Sequence, residues 1–252
     1  MTANSDVVTA ALLVIGDEIL SGRTKDKNIG FIAEYLTAVG IDLKEVRVVP
    51  DIEDEIVAGL NALRKRYTYV FTTGGIGPTH DDITADSVAK AFGVSIDVDP
   101  RAVALFKERA PTLDLNEARL RMARIPAGAE LVENKVSTAP GFMIGNVIVM
   151  AGVPSIMQAM LDAVSGRLRT GQKMLSETIL ANAREGDIGT PLGEIAKAYP
   201  ETMIGSYPFF DGKGPNTNIV VRARDASVLA AAKLAIENML TQVNASLVAL
   251  RK

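Results

Sequence analysis

The chain has 252 residues, 48% hydrophobic and 23% charged, which is the composition of a globular protein with a sizeable core. Its formal net charge of −3 gives no electrostatic basis for binding nucleic acid or a membrane, so we expect neither partner. The lack of cysteine excludes disulfides, thiolate metal sites and a cysteine nucleophile, and the single histidine, His80, excludes a multi-histidine metal site.

The N-terminal region and the cysteine count predict a cytoplasmic protein. Residues 1–7 carry no basic residues of the kind found in a signal peptide, and the apolar run 8–15 is too short to span a bilayer. Any metal ion must be held by oxygen ligands, which favours Mg²⁺ or another hard divalent cation.

The first 170 residues alternate apolar runs with helical periodicity, the pattern of a doubly wound parallel sheet. In chain order the predicted elements are strand 8–15, helix 28–39, strand 41–49, helix 52–64, strand 67–71, helix 83–92, strand 94–98, helices 100–109 and 116–124, strand 147–150 and helix 155–168. Arg119, Arg121 and Arg124 on the helix 116–124 are expected to form a solvated face.

The pattern changes after residue 170. Segments 173–180, 203–209 and 217–223 are predicted as strands, and segments 188–199 and 226–243 as helices. The fold class is therefore α/β, a three-layer α/β/α domain with a mainly parallel sheet (1–170), followed by a small α+β domain (171–252).

The most informative motif is TTGGIGPTHDDIT at residues 72–84, between a predicted strand and a predicted helix. A glycine-rich turn before a helix lets the backbone approach an anion and offers free N–H groups. Asp81 and Asp82 place carboxylates beside the expected phosphate, which indicates a divalent cation between them. Each feature alone is also explained by ordinary capping and turn formation; their combination favours the binding site.

Other predicted strands also end in polar or glycine-rich turns. Asp17 follows the first strand, and Asp51 follows the second, where we also expect it to be the N-cap of the next helix. A second glycine turn lies at 151–154. Because parallel strands end at one edge of the sheet, the acids are expected to converge there. We find no nucleophile–base pair, no Gly-x-Gly-x-x-Gly fingerprint and no Walker lysine.

At these motifs the chain resembles the MoaB/Mog (molybdopterin-binding) domain family, and within it the CinA-type, competence/damage-inducible branch. The matching segments are GDEILSG (16–22) with Lys27 and Asn28, the run 72–84, STAPGF (137–142) and GVP (152–154). Segments 204–208 and 217–225 resemble the KH-like region of CinA-type proteins; without a basic excess there, we expect no RNA binding.

The resemblance implies a nucleotide or pterin pyrophosphate over the glycine turn, with Mg²⁺. Asp82 matches the family's essential aspartate and Asp51 matches another, so both are the expected catalytic residues; Asp81 and Asp82 are the expected metal ligands. The expected ligand-binding residues are Gly16, Asp17, Glu18, Asn28, Thr73, Gly74, Gly75, Gly77, Pro78, Thr84, Gly141, Gly152 and Pro154. Met150-Ala151-Gly152 departs from the family's leucine–proline–glycine.

Three functions agree with this resemblance. CinA-type relatives imply an ADP-ribose pyrophosphatase, which is our first expectation. Short relatives imply transfer of adenylate to molybdopterin, and a non-catalytic nucleotide- or pterin-binding module is the third. The same domain occurs fused to FAD synthetases. The chain ends at Lys252, before the amidase domain of longer CinA proteins, so we do not expect deamidation. Relatives imply a homo-oligomer, a dimer or trimer.

Overall fold

The computed structural model of the protein describes residues 7–112, 114–210, 212 and 214–250. The chain forms two compact units, Met1–Gly171 and Gln172–Lys252. Among the described helices, none is both long and apolar enough to cross a bilayer.

The first unit contains eight described strands and seven described helices. Its strands are β1 (Val8–Ile15), β2 (Ile41–Val49), β3 (Tyr69–Thr73), β4 (Ile96–Val98), β5 (Arg124–Pro126), β6 (Glu130–Val132), β7 (Gly141–Ile144) and β8 (Val147–Met150). Its helices are α1 (Asp17–Leu20), α2 (Asn28–Ala38), α3 (Glu53–Arg64), α4 (Thr84–Phe92), α5 (Pro100–Arg109), α6 (Glu117–Arg121) and α7 (Pro154–Ser165).

The main sheet has the strand order β2-β1-β3-β8-β7-β6. The first four strands run parallel, and β7 and β6 are antiparallel to their neighbours. Parallel strands are buried on both faces, which explains why β1 is almost wholly apolar along its length. The strand order places the carboxyl ends of β2, β1, β3 and β8 side by side at one edge, where the glycine turns lie.

Two hydrophobic clusters cover the two faces of the main sheet. The alternating side chains of β1 divide between them: Leu13 packs in the cluster with α3 and α4, and Leu12 packs in the cluster with α2 and α7. Both leucines are fully buried, and burying such a side chain stabilises a fold by about 1.5–3 kcal/mol. The predicted three-layer α/β/α architecture is thereby confirmed.

Several predicted elements need correction. The strand expected at 94–98 is β4, which lies outside the main sheet and pairs antiparallel with β5. Strands β5, β6 and β7 were not predicted, because three or four residues are too few to show a period. Strand β3 begins two residues later than expected and continues through Thr72 and Thr73, whose β-branched side chains suit a buried strand.

The second unit is α+β, as predicted. It contains β9 (Leu175–Leu180), α8 (Glu185–Ala198), β10 (Met203–Phe210), β11 (Pro215–Ala223) and α9 (Ala226–Leu250). The strands form an antiparallel sheet of order β10-β11-β9, and alternate residues of β11, such as Ile219 and Val221, pack against the two helices. The last helix extends to residue 250, beyond the predicted end at 243.

Candidate functional site

The turn after β3 depends on two glycines with left-handed backbone angles. Gly74 has φ of +100° and Gly75 has φ of +65°. A Cβ on Gly74 would lie 2.1 Å from the carbonyl oxygen of Ile15, and a Cβ on Gly75 would lie 2.2 Å from the hydroxyl of Thr84. The Thr84 hydroxyl donates to the Gly74 carbonyl over 2.9 Å. The turn therefore packs tightly against the end of β1 and the first residue of α4.

The backbone of this turn presents unused donors. The Gly74 N–H donates to the Met150 carbonyl over 3.2 Å, but the N–H groups of Gly75, Ile76 and Gly77 donate to no acceptor within the described part of the chain. Three successive unpaired N–H groups at a glycine turn are an arrangement that binds anions. The expected anion-binding turn thus has the donors that this role requires.

The Asp82 carboxylate is fixed above the turn by Thr79. Its Oδ2 atom accepts hydrogen bonds from the Thr79 N–H, at 2.8 Å, and from the Thr79 hydroxyl, at 2.6 Å. A Cβ at residue 77 would lie 2.6 Å from this oxygen, so glycine is required for the carboxylate to lie close to the backbone. Asp82 is therefore oriented before any ligand arrives.

The two neighbours of Asp82 are more open to solvent. The side chain of His80 is 98% exposed and that of Asp81 is 64% exposed. The Thr79 hydroxyl is the main influence that lowers the pKa of the Asp81 carboxyl, and the nearby His80 and Arg121 side chains lower it further. Asp81 is thus held in its ionised form at the outer rim of the turn.

Asp51, at the end of β2, contacts the end of β1 and does not cap its own helix. Its Oδ2 atom accepts from the Asp17 N–H over 2.9 Å. The N-cap residue of α3 is Ile52, and no side chain caps this helix. The N-cap prediction is therefore wrong, because the carboxylate is used by the neighbouring strand end. Burial raises the pKa of Asp51, the Asp17 N–H opposes this, and the charges of Glu18, Asp17 and Asp81 raise it further.

Gly16 and Glu18 complete the end of β1. A Cβ on Gly16 would lie 2.6 Å from the Glu18 carboxylate, which folds back over the backbone. Asp17 and Glu18 both lie in the first turn of the short helix α1. Together with Asp51 and Asp81, they make this edge of the sheet strongly acidic.

Asn28 connects helix α2 to the second glycine turn. Its side chain is 4% exposed, and its Nδ2 atom donates to the Gly152 carbonyl over 2.8 Å. The Asn28 Oδ1 atom and the Thr73 hydroxyl are buried without a hydrogen-bond partner in the described structure. Buried polar atoms are normally paired, and these two unpaired atoms belong to residues that line the smaller of the cavities described below. Pro154 begins α7 directly after this turn.

Two adjoining cavities open over these strand ends, with volumes of about 670 and 250 Å³. Both are lined by residues of the β1, β3 and β8 ends, namely Glu18, Thr24, Gly74, Gly152 and Pro154. Gly75, Gly77, Pro78 and Asp82 line the larger cavity, and Asn28 and Thr73 line the smaller one. Their combined volume suits a nucleotide-sized ligand.

Not every expected residue lines these cavities. Thr84 lies behind the glycine turn, which it supports through its hydroxyl. Gly141 begins β7, where a Cβ would lie 2.3 Å from the Val149 carbonyl oxygen. Gly16, Asp17, Asp51 and Asp81 surround the edge without lining either cavity.

Sequence reasoning missed several lining residues. Lys25, Asp26 and Met122 contribute to the cavities. Asp26 also accepts from the N–H groups at the start of α2, at 3.0 Å and 2.7 Å, so its position just before a helix was an available signal. Met122 had no such signal.

The acids fit a metal ion only together with a ligand. Among the described residues, no three histidine or acidic side chains lie close enough to hold a metal by themselves. Mg²⁺ is commonly bound by one or two carboxylates and by the phosphates of a substrate. Asp81 and Asp82 have the carboxylate oxygens that this kind of Mg²⁺ binding needs.

Two family models match consecutive parts of the chain. Residues 11–170 match the "Probable molybdopterin binding domain". The chain belongs to this family. Residues 173–247, described from sequence as KH-like, match "FAD synthase, middle domain".

The relatives of this molybdopterin-binding domain protein have both short and long chains. A protein of Archaeoglobus fulgidus is 33% identical over 198 residues, covering 78% of this chain and 84% of the relative. A "Probable FAD synthase" of Caenorhabditis elegans is 31% identical over 258 residues, covering 92% of this chain but 50% of the relative. The chain thus spans about half the length of the FAD synthases that it matches.

Among solved structures, the chain resembles the protein CinA of Thermoplasma acidophilum, described as having unknown function. The two are 37% identical, with a TM-score of 0.60 over 65% of this chain and 99% of that one. The CinA-type resemblance is therefore confirmed.

Proposed function

We propose that this protein is a metal-dependent pyrophosphatase that hydrolyses a nucleoside diphosphate compound such as ADP-ribose. The observation that carries the proposal is the Asp82 carboxylate, fixed by Thr79 directly beside three unpaired N–H groups of a glycine turn. This pairing of anion donors with a rigid carboxylate suits a diphosphate that arrives with a cation. The adjoining cavity of about 670 Å³ has room for the rest of a nucleotide.

The chain's own residues would bind and orient the diphosphate. The N–H groups of Gly75, Ile76 and Gly77 would donate to its non-bridging oxygens, where negative charge develops during attack on phosphorus. Mg²⁺, held by Asp82 and Asp81 when bound, would neutralise phosphate charge and orient the two phosphates. The cation would thereby relieve the repulsion between those phosphates and the carboxylates of the site.

The reaction adds water to one phosphorus atom. The water gives up a proton as its oxygen bonds to that phosphorus. The bond from the same phosphorus to the bridging oxygen breaks, and the bridging oxygen leaves with the other phosphate. The products are two phosphomonoesters. With ADP-ribose the products are AMP and ribose 5-phosphate. Asp51 would accept the proton, since its burial and acidic neighbours raise its pKa and so favour its protonated form.

The test measures AMP release from ADP-ribose by the purified protein with Mg²⁺ or Co²⁺. We expect activity in the wild type and a loss of at least about 100-fold in Asp82→Asn, the scale set by removing one oriented charge-stabilising group. The matched control is Asp162→Asn, which makes the same charge change on the exposed face of α7 in the same unit. AMP release that survives in Asp82→Asn would refute the proposal.

FAD is a second substrate to test. It contains the same diphosphate linkage, and the relatives of Caenorhabditis are named as FAD synthases. Release of AMP and FMN from FAD would extend the proposal to flavin nucleotides. Absence of AMP from both compounds would exclude a pyrophosphatase of this type.

A transferase reaction in the same site is the second candidate function. The observation in its favour is the match of residues 11–170 to a family described as molybdopterin-binding. In that reaction ATP would lose pyrophosphate while its adenylate is transferred to the pterin phosphate. Pterin-dependent release of pyrophosphate from ATP, with no hydrolysis of ADP-ribose, would favour it. Tight binding without any product would identify a binding module.

A further inference from the structure

The glycine turn has a second neighbour that the proposed reaction does not use, the short helix α6. A narrow cleft beside the turn is lined by Gly77, Asp82 and Arg121. An open cavity of about 740 Å³ on the α6 side is lined by Pro78, His80 and again Arg121. Arg121 therefore lies between the glycine turn and a solvent-filled space on its outer side.

The three arginines at α6 and β5 are not equivalent. Arg119 donates to the Asp114 carbonyl over 2.6 Å, and Arg124 donates to both carboxylate oxygens of Asp86 over 2.8 and 2.6 Å. Arg121 makes one long hydrogen bond, 3.4 Å from its Nη2 atom to the His80 carbonyl. Its Nε atom is buried without a partner in the described structure. The expectation of a uniformly solvated face is therefore wrong.

A guanidinium nitrogen buried without an acceptor, such as Nε of Arg121, is costly unless something binds it. Leaving a buried donor without an acceptor costs about 1–3 kcal/mol. No acid at this edge accepts a hydrogen bond from Arg121 in the described part of the chain, where its hydrogen bond goes to the His80 carbonyl.

A diphosphate would supply the missing acceptors. It brings about two negative charges to an edge that already carries five carboxylates, so it needs cationic neighbours. Lys25 and Lys27 line the smaller cavity beyond β1, on the other side of the turn. Arg121 and Arg124 both border the cleft of Gly77 and Asp82. Arg124 is already paired with both carboxylate oxygens of Asp86, whereas the Nε atom of Arg121 has no acceptor in the described structure. The planar guanidinium also matches phosphate oxygens in a two-point contact.

We propose that Arg121 binds a phosphate of the diphosphate ligand at the glycine turn, with its guanidinium moving from the His80 carbonyl to the phosphate oxygens. The proposal rests on the proposed function and deepens it, since it assigns a residue to the diphosphate group. Arg121 contacts the ligand from the α6 side, and the turn N–H groups contact it from below.

The test is calorimetric binding of adenosine and of α,β-methylene ADP-ribose, a form of ADP-ribose that cannot be hydrolysed, to the full chain with Mg²⁺ present. We expect Arg121→Gln to weaken binding of this ADP-ribose analogue by about 10- to 100-fold, since hydrogen bonds to charged groups contribute about 1.5–3 kcal/mol. Adenosine, which lacks phosphate, should bind Arg121→Gln and wild type equally. Arg121→Lys should recover part of the loss, because it keeps the charge without the two-point contact. Arg119→Gln is the matched control and should bind like wild type.

Each outcome decides one statement. Wild-type protein that fails to bind the ADP-ribose analogue refutes the proposed function and this proposal with it. Wild-type binding together with an unchanged Arg121→Gln refutes only the role of Arg121. An equal loss for adenosine and the ADP-ribose analogue assigns Arg121 a structural role and also overturns the proposal. A thermal melt of each variant checks that it is folded.

Discussion

The replacement of Gly74 by alanine tests whether the glycine turn is sterically required. The added Cβ would lie 2.1 Å from the carbonyl oxygen of Ile15, a backbone atom of the buried strand β1 that cannot rotate away. The residue would also keep φ of +100°, a conformation that L-residues rarely adopt. The substitution therefore combines a steric overlap with backbone strain.

The two costs can be estimated separately. Strain in a sparsely populated backbone region costs about 1–3 kcal/mol. Forcing a methyl group into a packed site costs about 1–3 kcal/mol more. We therefore expect Gly74→Ala to lower the free energy of unfolding of the first unit by about 2–6 kcal/mol.

Two other glycines serve as matched controls. Gly93 has φ of +67° and open space around its Cβ position, so Gly93→Ala should show strain alone, about 1–2 kcal/mol. Gly166 has an ordinary helical φ of −67° and open space, so Gly166→Ala should have no cost. The comparison separates backbone strain from steric overlap.

The assay is native-state hydrogen exchange of the peptides from β1 and β3, which reports the opening free energy of the sheet itself. A Gly74→Ala variant no less stable than Gly93→Ala would refute the reasoning, because it would show that the turn can move away from Ile15. In that case the turn would not be a rigid platform for an anion, and the site would have to be reconsidered.

Two further substitutions test the supports of the turn. Thr84→Val should lower the free energy of unfolding by about 1–3 kcal/mol, because the Gly74 carbonyl loses its donor, whereas Thr84→Ser should retain most of the stability. Urea unfolding measures both variants, and equal free energies of unfolding for the two would contradict the assigned hydrogen bond. Asp51→Asn should melt at a higher temperature than wild type at pH 7, since the raised pKa of Asp51 means that its charged form opposes folding. The difference in melting temperature should disappear as the pH falls below the ordinary pKa of aspartate. A lower melting temperature for Asp51→Asn at pH 7 would contradict this sign.

Much of the fold was predictable because its signals are long and regular. Strands β1 and β2 and helices α2 and α3 are 8–12 residues long and show clear apolar patterns. The strands β5, β6 and β7 escaped prediction, since each has three or four residues and gains its place by pairing with a neighbour. Pairing partners that are distant in the chain leave no period in the sequence.

The candidate site also has features that the sequence predicts and features that depend on contacts between distant residues. The glycines and acids of residues 72–84 identified an anion-binding turn because the conformation of a turn depends on its own residues. The use of Asp51 by the Asp17 N–H could not be predicted, because it depends on β2 lying beside β1. The unpaired Nε atom of Arg121 was equally hidden, since the spacing of Arg119, Arg121 and Arg124 in the sequence is the same whether their nitrogen atoms are solvated or buried.

The sequence by itself determined the α/β class, the approximate positions of the main elements and the chemistry available at the strand ends, because these depend on local composition and periodicity. Tertiary structure alone decided which of these residues meet. The order β2-β1-β3-β8 places four strand ends in a row, so that Asp51, Glu18, Asp82 and Gly152 gather at one edge although they are up to 134 residues apart in the chain. Only that packing shows which carboxylates are already bonded, and that the guanidinium of Arg121 still lacks a full set of acceptors.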